Sequence, residues 1–305
     1  MKWIKRIGGI FMNIQRLFES KKVVYSLEVF PPKKTTSIDT IYNTLYGLRG
    51  LRPDFISVTY GAGGSEAQKN KTCEIASLIK SEYQIEPVSH LTCVGSTKQD
   101  IMEFLDRLKA EGVQNILALR GDITPGNDVI DFEHASDLAA FIKNYDDSFN
   151  ISGACYPEGH CDSANMDQDI ENLKKKVDAG VTHLVSQLFF DNNHFYEFMD
   201  KVEKVGIHVP IEAGIMPVIN KAQIERTVSM CGASFPVKFS KLLNKYAQDP
   251  IALKDAGIAF ATEQIIDLIN NDVRGIHLYT MNNVETATRI TNSIANILAS
   301  CNRQV

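Results

Sequence analysis

Glu28 lies between Leu27 and Val29, three residues before Pro31, at the end of an otherwise apolar run. A carboxyl in that position is expected to lose part of its water, which raises its pKa and suits a general acid working near neutral pH. The competing reading is a glutamate held by a nearby cation. A second carboxylate, Asp122, follows Arg120 and Gly121 directly after the apolar run 115–119, and Thr124-Pro125-Gly126 then breaks the chain into a loop. An Arg–Asp pair at the end of a buried strand is where α/β enzymes place their chemistry, and it also reads as a surface ion pair. Two carboxyls in different environments can divide the work, one as acid and one as a fixed negative charge that stabilises a cation.

Other polar residues fall at similar places: Thr59, Tyr60, His90, Thr92, Tyr156, Glu158, His160, Gln187 and Tyr279. His90, inside an apolar stretch, reads equally as a hydrogen-bonded core histidine and as a binding group. Gly61-Ala62-Gly63-Gly64-Ser65 offers backbone N–H groups to a phosphate but matches neither the dinucleotide fingerprint nor the P-loop. Cys155, Glu158, His160 and Cys161 fit no zinc spacing, so no metal site is expected. No nucleophile elbow or Cys–His nucleophile signature is present.

The elements that must position these groups alternate regularly. Apolar, β-rich runs at 23–30, 54–60, 87–93, 115–119, 151–156, 183–190, 209–216 and 275–280 each precede a helical period or a helix-start signal. The stretch 236–271 is long enough for two helices. Eight strand–helix pairs without hairpin signals predict a single-domain (β/α)8 TIM barrel over residues 21–305. A doubly wound sheet would usually have fewer strands and a glycine fingerprint after the first, which here ends in Pro31-Pro32. Residues 1–20 are expected to be a loose arm or short helix outside the core, and Met12 is an alternative start.

Composition narrows the class. The 305 residues carry a formal net charge of -5, against the basic face of a general nucleic-acid binder. No apolar run reaches the roughly 20 residues needed to span a bilayer. Six cysteines without a C-x-x-C pair read as reduced thiols of a cytoplasmic protein. Spacing alone therefore leads to a barrel enzyme that uses acid and anionic groups on a small organic substrate.

The residues also resemble a known family. Ser26-Leu27-Glu28-Val29-Phe30-Pro31-Pro32, Ser57-Val58-Thr59-Tyr60-Gly61-Ala62, His90-Leu91-Thr92-Cys93, Ala118-Leu119-Arg120-Gly121-Asp122, Tyr156-Pro157-Glu158, Gln187-Leu188-Phe189-Phe190-Asp191, Gly214-Ile215-Met216-Pro217 and Tyr279-Thr280-Met281-Asn282 are similar, in order, to the methylenetetrahydrofolate reductases in their short bacterial form. The resemblance implies FAD as cofactor and NADH or NADPH as co-substrate. The implied reaction is ping-pong reduction of 5,10-methylenetetrahydrofolate to 5-methyltetrahydrofolate, feeding methionine synthesis. Glu28 falls on the family's general acid and Asp122 on the carboxylate near flavin and pterin. Thr59, Tyr60, His90, Arg120, Gly121, Asp122, His134, Ala135, Tyr156, His160, Asp169 and Lys176 fall on the flavin-binding set, with Lys176 at the diphosphate or ribose. Gln187, Gln223 and Tyr279, together with Glu28, fall on the substrate side. A homo-oligomer is the assembly expected. Three residues depart from the pattern: Asn283 replaces an arginine, Thr227 a phenylalanine and His134 a tyrosine. Two alternatives are a flavin-dependent barrel reductase of another one-carbon or iminium substrate, and a non-catalytic barrel acting as an assembly partner.

Overall fold

The computed structural model describes residues 13–32, 37–60, 66–122 and 131–303. The glycine-rich stretch 61–65 and the loop containing Thr124-Pro125-Gly126 lie outside the described residues. After a short helix α1 (Gln15–Ser20), strands and helices alternate as β1 (Val24–Val29), α2 (Asp39–Leu48), β2 (Phe55–Val58), α3 (Glu66–Ser81), β3 (Glu86–Thr92), α4 (Lys98–Ala110), β4 (Asn115–Leu119) and α5 (Ala135–Tyr145). The second half continues as β5 (Asn150–Cys155), α6 (Met166–Asp178), β6 (His183–Ser186), α7 (Asn192–Lys204), β7 (Ile211–Ile215), α8 (Lys221–Cys231), α9 (Val237–Lys245), α10 (Pro250–Asn270), β8 (Gly275–Tyr279) and α11 (Val284–Cys301). All eight strands pair in parallel in sequence order, and β8 closes on β1 to complete the (β/α)8 barrel. The long stretch 236–271 does supply two helices, α9 and α10.

Alternation along each strand separates two environments. Leu27 and Val29, Ile56 and Val58, Leu91, Ile116 and Ala118, Ile276 and Leu278 join the helices in one continuous apolar core. Their neighbours point into the barrel. At its N-terminal end the inward residues are apolar: Val24, Phe55, Val88 and Leu117. Further along they are polar, with Ser26 beside His277, and Glu28 beside both Ser57 and Tyr279.

The N-terminal segment departs from expectation. Residues 13–20 include a short helix, but it is not outside the core. Ile14, Leu17 and Phe18 project from one face of α1 and pack on Val24, Phe55, Val88 and Leu117, closing the barrel's bottom. The Ile14 N–H donates to Asn115 Oδ1 at 3.2 Å, and the Arg274 guanidinium donates to the Phe18 carbonyl. A closed parallel barrel leaves apolar side chains open at its end, and this i, i+3, i+4 face covers them. At the other end a satellite core of Leu188, Phe190, Val218, Phe239 and Leu253 braces the β6 and β7 loops, with Phe190 stacked on Phe239 at 4.5 Å between ring centroids.

Candidate active site

Glu28 is the last inward residue of β1. Its side chain is 17% exposed, open enough to be reached from the mouth. Three strands converge on it: Ser57 Oγ donates to Glu28 Oε2 at 3.3 Å, His277 Nε2 lies at 3.3 Å and His90 Nε2 at 3.4 Å from the same oxygen. Burial pushes the Glu28 carboxyl up, but the His277 hydrogen bond, the His90 and His277 imidazoles and the Ser57 hydroxyl together outweigh it and hold the group below the ordinary carboxylate value. The raised pKa expected from burial alone is therefore corrected. Burial also drives His90 down to about 4, against the pull of Glu28. His90 is then neutral at pH 7, so the hydrogen bonds carry most of the stabilisation of the Glu28 anion there. The free resting state is an ionised Glu28, and its use as an acid requires that it be reloaded with a proton.

Asp122 stands exposed just past the end of β4. The turn that presents it requires Gly121, whose φ is +88° and whose added Cβ would come within 3.0 Å of Thr92 Cβ. Arg120 does not pair with Asp122 as the sequence suggested. Its guanidinium donates to Asp162 at 2.5 Å, reaching across to the loop after β5. Asp122 then shares a cleft of about 590 Å³ with Arg120, Tyr156, His160, Gln187 and Thr227. Gln187 Oε1 accepts from the Leu188 N–H at 2.9 Å, which fixes the side chain while leaving its amide N–H groups available.

A second, narrower cavity of about 230 Å³ shares Arg120, Tyr156 and His160 with that cleft and extends to His134, Ala135, Asp169 and Lys176. Tyr156 and His160 meet edge to face at 4.6 Å, and burial lifts the Tyr156 hydroxyl to about 12. Lys176 is the informative member. Its ammonium donates to the Ala154 carbonyl at 2.7 Å, and the carboxylate that acts on it, Asp169 in the same cavity, does so through space rather than as an ion pair. Burial lowers its pKa. A half-buried cation with one acceptor for three N–H donors fits an anionic group such as a phosphate. Asp169, held by Ser163 Oγ at 2.8 Å, offers a carboxylate to hydroxyls. His160, Cys161 and Asp162 also cluster, but Asp162 is bonded to Arg120 and its N–H donates to His160 Nδ1 at 3.0 Å, which makes the group a braced loop.

The sequence model of the family described as methylenetetrahydrofolate reductase matches residues 13–295. The 5,10-methylenetetrahydrofolate reductase of Escherichia coli is 34% identical over 269 residues, covering 88% of this chain and 90% of that protein. This chain belongs to the methylenetetrahydrofolate reductase family. Methylenetetrahydrofolate reductase 1 of Schizosaccharomyces pombe and methylenetetrahydrofolate reductase (NADH) 1 of Arabidopsis thaliana are each 35% identical, and the chain spans about half the length of these curated relatives, 44% and 48%. A solved structure described as an uncharacterised protein from Clostridium thermocellum that binds two copies of 5-methyl-5,6,7,8-tetrahydrofolic acid shares the fold, with a TM-score of 0.64 at 13% identity, covering 94% of this chain and 98% of that one.

Several residues that the reductase resemblance singled out do not join the mouth. Tyr60 is buried against Phe104 of α4 at 5.9 Å, on the helix side of the sheet, because it is one residue out of phase with inward Ser57 and Thr59. Gln223 is exposed on α8, one turn before Thr227, which does line the cleft. Asn283, where the resemblance leads one to expect an arginine, caps α11 by accepting from the Thr286 N–H at 2.9 Å. Tyr279 is at the mouth, but its hydroxyl donates to the Ser186 carbonyl at 2.8 Å across Gly214. A Cβ on Gly214 would sit 2.2 Å from that carbonyl oxygen, so glycine is what permits this crossing. Sequence reasoning missed Ser57 and His277, which hold the Glu28 carboxylate. The available signal was their inward phase, two residues before Thr59 and Tyr279 respectively.

Proposed function

We propose that this protein reduces 5,10-methylenetetrahydrofolate to 5-methyltetrahydrofolate with FAD as cofactor and NADH or NADPH as electron donor, in a ping-pong sequence that serves methionine synthesis. The observation that carries the reading is the mouth itself. An ionisable carboxyl under two imidazoles, Glu28, stands at the same end of the barrel as Asp122, Gln187 and a cavity holding a half-buried cation with no carboxylate partner among the described residues, in a chain of this family. Lys176 and Arg120 would hold the FAD diphosphate, Asp169 a ribose hydroxyl, and His134, Ala135 and Tyr156 the walls around them. When bound, FAD supplies two-electron storage between the nicotinamide and the folate.

The chain's own residues do the rest. Glu28 delivers a proton to the leaving amine of the folate's five-membered ring, because that nitrogen must be protonated before the ring opens to an iminium. Asp122, exposed just past the end of β4, faces the cation that forms and stabilises it. Gln187 orients the substrate through its free amide N–H groups. The test is the visible spectrum of the purified holoprotein under anaerobic conditions. A yellow protein bleached by NADH and recoloured by methylenetetrahydrofolate supports the reading. A protein that takes up no flavin, or a reduced flavin that the folate leaves bleached, refutes it.

A further inference from the structure

The barrel interior holds a polar column that the reaction described above does not use. Glu212, the second residue of β7, is fully buried, and Gly275 on β8 makes room for it: a Cβ there would come within 2.5 Å of Glu212 Cγ. Glu212 Oε1 accepts from Ser26 Oγ at 2.9 Å, Ser26 Oγ lies 2.7 Å from His277 Nδ1, and His277 Nε2 lies 3.3 Å from Glu28 Oε2. Four groups on three strands thus form one unbroken line from the middle of the barrel to the proposed acid.

We propose that Glu212 is the proton store for Glu28, loading it through Ser26 and His277 when substrate is seated. The inference rests on the folate-reducing role assigned to Glu28 above. Each transfer balances within the line, and the proton consumed in turnover is replaced from water at the mouth, where Glu28 is 17% exposed, returning along the same groups to refill Glu212 and reset His277. In the loaded state the Ser26 hydroxyl turns to His277 Nδ1 and accepts from protonated Glu212, which gives its proton to Ser26 Oγ as the Ser26 hydroxyl proton passes to His277 Nδ1 and the His277 Nε2 proton passes to Glu28 Oε2. Glu212 ends as the carboxylate, Glu28 as the acid, Ser26 unchanged, and His277 as the other neutral tautomer.

The surroundings favour a loaded store. A carboxylate prefers several donors, whereas Glu212 has one, Ser26, and its Oε2 has no hydrogen-bond partner. The nearest group to that oxygen on β6 is His183 Nε2, at 3.8 Å. His183 is itself buried between Phe18 and Phe55, and burial keeps it neutral by lowering its pKa to about 3. On β8 it faces His277, on β1 Ser26, and from the residues before β2 the negative charge of Asp54. Burial raises Glu212 to about 7, with His277 and Ser26 pulling it back and Asp54 adding to the rise. A substrate seated over Glu28 removes its remaining water and raises its proton affinity, so transfer becomes favourable when the acid is needed.

The test uses the flavin-loaded protein. Flavin reoxidation by methylenetetrahydrofolate is followed by rapid mixing from pH 5 to 9 (roughly the span around the His and perturbed Glu range) in the wild type, Glu212→Gln and Ser26→Ala. Ser26→Ala cuts the line while both carboxyls stay in the chain, frees Glu212 from the downward pull of the Ser26 hydroxyl, and serves where Glu212→Gln fails to fold. The wild-type rate should fall as pH rises through about 7. Both variants should lose that limb and run about 10-fold slower, the scale on which outer hydrogen-bond partners of a reacting group contribute. In parallel, carbon NMR of labelled glutamate carboxyls reads Glu212 directly: a signal absent from Glu212→Gln that titrates near pH 7, with an echo in the Glu28 signal that vanishes in Ser26→Ala. A variant that keeps the wild-type limb overturns the proposal, as does a Glu212 signal that titrates at about 4.3, the ordinary glutamate value. A wild-type flavin that the folate never reoxidises refutes the functional reading instead, while the carboxyl signals still decide whether Glu212 and Glu28 are linked.

Discussion

Replacing Glu212 by glutamine should change how stability depends on pH, independently of any substrate. The native barrel prefers the protonated carboxyl, raised from 4.5 to about 7 by burial. A group raised in the folded state contributes stability that is fully present below its unfolded pKa and is lost as pH rises through its folded pKa. The window is therefore pH 4.5 to about 7. At about 1.4 kcal/mol per pH unit, that rise corresponds to roughly 3 kcal/mol. Glutamine keeps the size of the side chain and its contact with Ser26 but does not ionise. The stability of Glu212→Gln relative to wild type should accordingly grow by roughly 3 kcal/mol between the acid end of that window and pH 8. His90 and His183, lowered to about 4 and about 3, slope the opposite way: their contribution is lost as pH falls below their unfolded range. That slope is common to both proteins and drops out of the difference. Urea unfolding of both proteins at several pH values measures it. Parallel stability curves would show that Glu212 ionises normally and would remove the basis for a neutral store in the barrel.

Glu28→Gln should still bind flavin and still be reduced by NADH, while reoxidation by methylenetetrahydrofolate slows by at least ~100-fold, the lower end of general-acid catalysis; equal slowing of both steps in stopped-flow absorbance would make Glu28 structural. Lys176→Met should weaken FAD binding by roughly 10- to 100-fold, the loss of one charge-assisted contact, read by quenching of flavin fluorescence; unchanged affinity would move the diphosphate elsewhere. Asn283→Arg should cost about 1 kcal/mol through the lost cap of α11 and still tighten folate binding, because arginine can hold a carboxylate bidentately. Weaker folate binding would show that the substrate's anionic tail does not reach that position. Phe18→Ala should destabilise the barrel by about 3–5 kcal/mol if α1 closes its bottom, and a change under about 0.5 kcal/mol in urea unfolding, the surface scale, would restore the loose-arm reading.

The repeating strand–helix order was legible because each change of hydrophobic period is local, and so were the strand ends, because a buried strand must stop where polar residues begin. The contacts that set the chemistry were not local. Glu28 meets Ser57, His90 and His277, and Arg120 meets Asp162, through the closure of the barrel rather than through neighbours in the chain. Burial of Glu28 could be inferred from its apolar flanks, but the donors that reverse its effect come from three other strands, so the sequence alone pointed the pKa in the wrong direction. The arm was misjudged for a related reason. Its Ile14, Leu17 and Phe18 face is too short to read as a core helix until the open barrel end that it covers is known. Glu212 carries a signal of its own in the sequence: a carboxylate flanked by Ile211 and Ala213, two residues before a glycine. In a parallel barrel such a residue has only the inward face on which to find partners. Strand register then decides which partners it meets, since β7 aligns Glu212 with Gly275 and β1 aligns Ser26 with His277. The missing side chain at 275 gives the carboxyl its space, and the inward Ser26 and His277 give it a path to the mouth. The period-2 phase of an anomalous charge is thus what links a buried position to the site it serves.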